Sequence, residues 1–169
     1  TALINSTRRI EGPRLVSTRP MQAEEGTALP AIYGTMRVGS TLIWATRFEE
    51  QKTTTRQGGK GGPKTTTYSY YANAAFAVAQ GEISGIRRIW ADGNELDQTQ
   101  VTIRVYKGSE TQLPDPLIEA RQGSGKVPAY RGTAYVVFER LPIDAYGNRL
   151  PLLQFEVMRS VGRLSKDIQ

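Results

Sequence analysis

The fold turns on Thr53-Thr54-Thr55-Arg56-Gln57-Gly58-Gly59-Lys60-Gly61-Gly62-Pro63-Lys64-Thr65-Thr66-Thr67-Tyr68-Ser69-Tyr70-Tyr71-Ala72-Asn73-Ala74-Ala75-Phe76-Ala77-Val78-Ala79. Two threonine triplets mirror each other about a glycine-rich tip. Threonine favours strands without adding apolar surface, so the flanks form a hairpin whose arms leave the core for solvent or a partner. On the returning arm the two-residue period puts Tyr68, Tyr70, Ala72, Ala74, Phe76 and Val78 on one face, which enters the core. The hairpin as a whole spans residues 45–79. Its tip cannot be held by its own contacts, because glycine loses the most backbone entropy on ordering and has no side chain to bury.

Upstream, Gly34 and Gly39 bracket Thr35-Met36-Arg37-Val38, and Thr41-Leu42-Ile43-Trp44-Ala45-Thr46-Arg47-Phe48 opens a longer strand. Residues 1–28 have no sustained period and read as an entering arm or linker, with one short strand over Arg14–Thr18. Downstream, Ile83, Ile86, Ile89 and Trp90 mark a strand ending at the turn Ala91-Asp92-Gly93-Asn94. Val101–Tyr106, Gly132–Glu139 and Leu152–Met158 complete the β pattern, with a turn at Ala145–Asn148 before the last strand. Asp115-Pro116-Leu117-Ile118-Glu119-Ala120-Arg121-Gln122-Gly123 has the makings of a helix, with Asp at the N-cap, Pro in the first turn and Gly past the end. Roughly seven strands and one short helix over Pro116–Gln122 make an all-β barrel or sandwich.

At 169 residues the chain suits one domain, 29–160, followed by an exit segment, 161–169. A hydrophobic share of 38% and a charged share of 22% suit a folded domain rather than a disordered tail. The sequence contains no Cys and no His, which closes thiolate and imidazole zinc sites, Cys nucleophiles and Ser-His pairs. The net charge is +6, with basic residues gathered around Arg8-Arg9 to Arg19 and around Lys52 to Lys64. That balance permits contact with nucleic acid or another anionic surface. No apolar run approaches the roughly 18 residues of a membrane span. The chain begins at Thr1, as a processed protein or a piece of a longer polypeptide would.

Several constellations invite a chemical reading. Gly58–Lys64 lacks the spacing of a phosphate-binding loop and is followed by a β arm where a helix should start. Glu24-Glu25 and Glu49-Glu50 are adjacent pairs, and adjacent strand residues face opposite ways, so neither flanks one glycosidic bond; solvated charge is the better reading. Asp92, Asn94, Glu95 and Asp97 cluster, but out of step with a calcium loop, and form a tight turn instead. Ser124 with Lys126, and Ser165 with Lys166, lie in polar stretches that leave the lysine solvated and protonated. No catalytic, cofactor or metal residue is assigned. Arg56, Lys60, Lys64, Tyr68 and Tyr70 are the candidate contacts to a subunit or to DNA. As a nucleic-acid module they would stack bases on tyrosine and track phosphates with cations; otherwise the tyrosines line the hairpin's inward face or a subunit contact.

Leu29-Pro30-Ala31-Ile32-Tyr33-Gly34-Thr35-Met36-Arg37-Val38-Gly39, followed by Ile43-Trp44-Ala45-Thr46-Arg47-Phe48, resembles the opening of the phage tail hub family, the tail-tip or baseplate hub proteins of siphophage-like particles and gene transfer agents. Further blocks agree in order: Tyr70-Tyr71-Ala72 to Gly81-Glu82-Ile83, Arg88-Ile89-Trp90-Ala91-Asp92-Gly93, Pro114–Ile118, Pro128–Tyr135, Tyr146–Pro151 and Phe155-Glu156-Val157. The resemblance covers roughly residues 11–160 and implies a tail-tube-like antiparallel β-barrel hub domain with a long projecting hairpin. It also implies a homotrimer in the virion that meets the tail tube and distal tail proteins and frames a channel for DNA. It brings no cofactor and no catalytic residue.

Overall fold

The threonine-flanked stretch forms the longest strand of the protein. The computed structural model describes residues 9–12, 14, 28–58 and 62–160. Their strands are β1 (Arg9–Glu11), β2 (Gly34–Gly39), β3 (Thr41–Ala45), β4 (Glu49–Arg56), β5 (Lys64–Gln80), β6 (Gly85–Ala91), β7 (Asn94–Glu95), β8 (Thr102–Tyr106), β9 (Thr133–Pro142) and β10 (Leu153–Arg159). The one α-helix among them, α1, is Pro116–Gln122, and short 3₁₀ turns occupy Gln98–Gln100 and Asp144–Tyr146.

Strand β5 organises a six-stranded sheet. Its inner half, residues 74–77, pairs antiparallel with β3, and residues 71–80 pair antiparallel with β9, which continues to β8. Its outer half, residues 64–71, pairs antiparallel with β4 from Glu49↔Tyr71 to Arg56↔Lys64. Strand β1 runs parallel to β5 over residues 64–66. A second sheet has the order β2-β10-β6-β7, all antiparallel. The Asp92-Gly93 turn joins β6 to β7 with φ of 50° and 86°, the left-handed pair that a two-residue hairpin loop requires.

The two sheets face each other across the main core. Tyr70, Ala72, Ala74, Phe76 and Val78 of β5 and Val136 and Phe138 of β9 meet Val38, Ile89, Ala91, Leu153, Phe155 and Val157 of the second sheet. Phe138 bridges the layers, edge-on to Phe76 at 5.9 Å and tilted against Phe155 at 6.4 Å between ring centroids. The opposite face of β5 is buried too. Ala75 and Ala77, with Trp44, Tyr135 and Val137, pack against Ile118 of α1 and Val127.

Closure into a barrel, implied by the resemblance, does not occur among the described residues. Strands β2, β10 and β6 bond to one another rather than to β3 or β8, so each sheet keeps its edges. With β5 apolar on both faces over its inner half, one face takes the second sheet and the other takes α1. The strand expected over Thr41–Phe48 ends at Ala45, and β4 begins at Glu49. Of the strand expected over Arg14–Thr18, Arg14 is outside any strand and the remainder lies outside the described residues.

Candidate assembly surface

The outer half of β5, with β4 along one edge and β1 along the other, forms a ribbon whose register sorts its side chains by chemistry. Directly opposed residues share a face. One face carries Gln51, Thr53, Thr55, Thr65, Thr67 and Ser69, uncharged hydroxyls and an amide. The other carries Lys52 opposite Tyr68, Thr54 opposite Thr66 and Arg56 opposite Lys64. The seven residues of β4 from Glu50 to Arg56 are exposed. Among the described residues the ion pairs of the ribbon run through Glu49 and Glu50, and Lys52, Arg56 and Lys64 take no part in them.

Glu50 accepts from Arg14 Nε at 2.8 Å and from the Tyr70 hydroxyl at 3.1 Å. The Arg14 hydrogen bond holds the Glu50 carboxyl below the usual carboxylate range against a smaller opposing effect of burial. The same contact raises the Arg14 guanidinium. Arg14 lies over the Tyr68 ring at 5.5 Å, with Lys52 at 6.0 Å from the same ring.

Glu49, on the other face, ties the root of the ribbon to the domain. Its carboxylate accepts from Asn73 Nδ2 at 2.7 Å, Arg121 of α1 at 2.9 Å and Arg140 of β9 at 3.0 Å. Asn73 sits where the β5–β9 register shifts, and its Oδ1 accepts the Arg140 backbone N–H at 2.8 Å. Arg140 holds φ of 52° there, a left-handed conformation for a non-glycine residue, and its guanidinium lies 4.5 Å from the Tyr71 ring centre. Four elements thus converge on one carboxylate. Asn73→Ala removes a donor to Glu49 and leaves the part-buried Arg140 N–H without its acceptor, an expected loss of about 1–2 kcal/mol. The urea midpoint of the purified chain measures it; an unchanged midpoint would show that the root does not depend on this amide.

The candidate contacts fare differently. Arg56 and Lys64 stand opposite each other on the cationic face, with Tyr68 farther down it. Lys60 lies outside the described residues. Tyr70 is 1% exposed, its ring in the main core and its backbone N–H donated to Asp144 Oδ1 at 3.0 Å, so it supports the ribbon from inside. Lys52 is the cation that sequence reasoning passed over. Counting outward from the tip places it opposite Tyr68, which would have found it. Gly62 admits no side chain, because a Cβ there would overlap the Gln57 carbonyl oxygen.

The remaining constellations are structural. Glu49 and Glu50 do face opposite ways, and each carboxylate is ion-paired to an exposed arginine at the surface. Asp92 accepts from Arg149 at 2.8 Å and from the Leu152 N–H at 2.8 Å, and these bonds, the backbone one foremost, lower its carboxyl. Asp97 caps the first 3₁₀ turn through Thr99. Among the described residues no three acidic side chains converge as a metal site, and no helix is long and apolar enough to cross a membrane. Glu24-Glu25, Ser165 and Lys166 lie outside the described residues.

No protein-family model matches the chain, and no curated protein does. Among solved structures it matches a chain of one described as the virion of a native gene transfer agent particle, with 39% sequence identity and a TM-score of 0.66. The match covers 95% of this chain and 33% of that one. This chain is therefore similar, along nearly its whole length, to about a third of a virion protein.

Proposed function

We propose that this chain is a structural, non-enzymatic module of a phage-like virion. It builds the hub ring that joins the tail tube to the tail tip and frames the channel through which DNA leaves. The observation that carries this reading is the 39% identity over 95% of the chain to a gene transfer agent virion protein. The ordered hub-like blocks from Leu29 to Val157 add the position at the tail tip, and with it a homotrimeric ring in contact with tube and distal tail proteins. Residues 29–160 are the hub module, and the flanking segments lead to further parts of a longer chain. The carboxylate pair Glu49-Glu50, which a hydrolase would need free, is spent on holding the ribbon root.

Mass spectrometry of purified particles from the source tests the placement: peptides of this chain should be present at a few copies per particle, and their absence would refute it. The ribbon is the part that reaches a neighbouring subunit or ring. Replacing Gln57–Pro63 by Asn-Gly joins Arg56 to Lys64 through a two-residue turn that suits the strand twist. The domain should fold as before while particle yield or delivery falls; full delivery would remove the tip from the interface.

A further inference from the structure

Arg56 and Lys64 are directly opposed on one face of the ribbon, and like charges so placed repel. Among the described residues neither is paired with an acid, and Lys52 lies on the same face two cross-strand pairs nearer the root. The hydroxyl face opposite carries no charge along the same length. The acids of this face are Glu50, bonded to Arg14, and Glu11 of β1, registered beside Thr66, so Lys52, Arg56 and Lys64 leave a surplus of positive charge that suits an external anion.

We propose that this cationic face docks on an acidic segment of a partner protein, with Lys52, Arg56 and Lys64 taking carboxylates. The proposal deepens the reading of the ribbon as an assembly element and rests on it for the setting. Nucleic acid fits the face less well. A single strand needs free aromatic faces to stack its bases, but Tyr70 is 1% exposed and the Tyr68 ring already carries Arg14 at 5.5 Å and Lys52 at 6.0 Å. Three cations also neutralise few phosphates, which leaves little of the counterion release that drives nucleic-acid binding. Carboxylates suit the site better, since a lysine and a forked guanidinium held side by side match a pair of them.

The test places a photo-crosslinking amino acid at Thr54 on the cationic face, or at Thr55 on the hydroxyl face, in the full-length protein in its source cells. After irradiation, Thr54 adducts should map to an Asp/Glu-rich protein segment. They should fall at least tenfold with Arg56→Glu plus Lys64→Glu and persist with Arg56→Lys plus Lys64→Arg. Arg56→Gln plus Lys64→Gln gives the same reading should the reversal impair folding. Adducts to nucleic acid, no adduct, or adducts indifferent to the charge changes would overturn the proposal. Whether the adduct partner is a virion protein tests the hub reading separately.

Discussion

Asp115→Ala is expected to destabilise the domain by about 3 kcal/mol, combining a lost helix cap of about 1 kcal/mol with a lost charged hydrogen bond of about 1.5–3 kcal/mol. Asp115 is fully buried, and its two oxygens serve two structures at once. Oδ1 accepts the Leu117 and Ile118 N–H groups at 2.8 and 3.1 Å, capping α1. Oδ2 accepts Arg104 Nε at 2.6 Å and the Tyr106 hydroxyl at 2.8 Å. Arg104 also reaches Glu139 at 2.7 Å, so the cluster ties β8, β9 and the helix that covers the second core. Asp115→Asn keeps an oxygen for the cap but weakens the arginine pair, and should cost less than the alanine. Chemical denaturation of both variants orders them, and equal costs would show that the ion pair rather than the cap matters.

The same carboxylate sets a pH dependence. Burial would raise its pKa, but hydrogen bonds from Arg104, Tyr106 and the Ile118 N–H outweigh it and hold the group below the usual carboxylate range. A carboxyl depressed in the folded state contributes its stability above its unfolded value, about 4, and loses it as pH falls through the lower folded value. Stability of the native chain should therefore drop below about pH 4, and Asp115→Asn should flatten that limb. The Tyr106 hydroxyl, pushed up to about 12 by burial and then by the neighbouring carboxylate, keeps its proton throughout.

Gly108→Ala is the second large effect. Gly108 holds φ of 86°, and a Cβ there would lie 2.7 Å from the Gly81 carbonyl oxygen, 3.0 Å from the Ala134 nitrogen and 3.1 Å from the Thr133 carbonyl carbon. All three are backbone atoms and cannot swing aside. They belong to a junction in which Gly81 N–H donates to Gly132 O at 2.6 Å and Gly132 N–H to Gly108 O at 3.2 Å. The Gln112 side chain knits the same junction, accepting from Gly108 N–H at 2.9 Å and donating to Tyr130 O at 2.6 Å. Left-handed backbone strain of about 1–2 kcal/mol adds to overpacking of about 1–3 kcal/mol. Gly93→Ala is the control: φ is also 86°, but nothing lies within 4 Å of the added carbon, so the strain alone should appear. Equal losses at the two positions, measured by denaturation, would contradict the close approach at Gly108.

Local signals in the sequence were legible where one element decides its own shape. The Asp-Pro start and Gly end of α1, the Asp92-Gly93 turn and the paired threonine arms each specify backbone geometry within a few residues. What escaped depends on distant pairing. Ala75 and Ala77 carry no sign that a helix from some forty residues downstream covers them; small side chains there leave room for Ile118 and Trp44. Asn73 and Arg140 look ordinary until the register shift places one opposite the other. Tyr70 was open to two readings, the core-entering face shared with Phe76 and a contact to a partner, and its ring lies in the core. Barrel closure came from the resemblance rather than from the strands, whose pattern left a sandwich equally open.

A cryo-EM reconstruction of particles from the source, carried to the tail tip, tests the central proposal most directly. The hub reading predicts density for residues 29–160 in a ring between the last tube layer and the distal tip, with the β4–β5 ribbon of each copy reaching an adjacent subunit. Density for this domain in the capsid, along the tube shaft or nowhere in the particle would contradict it.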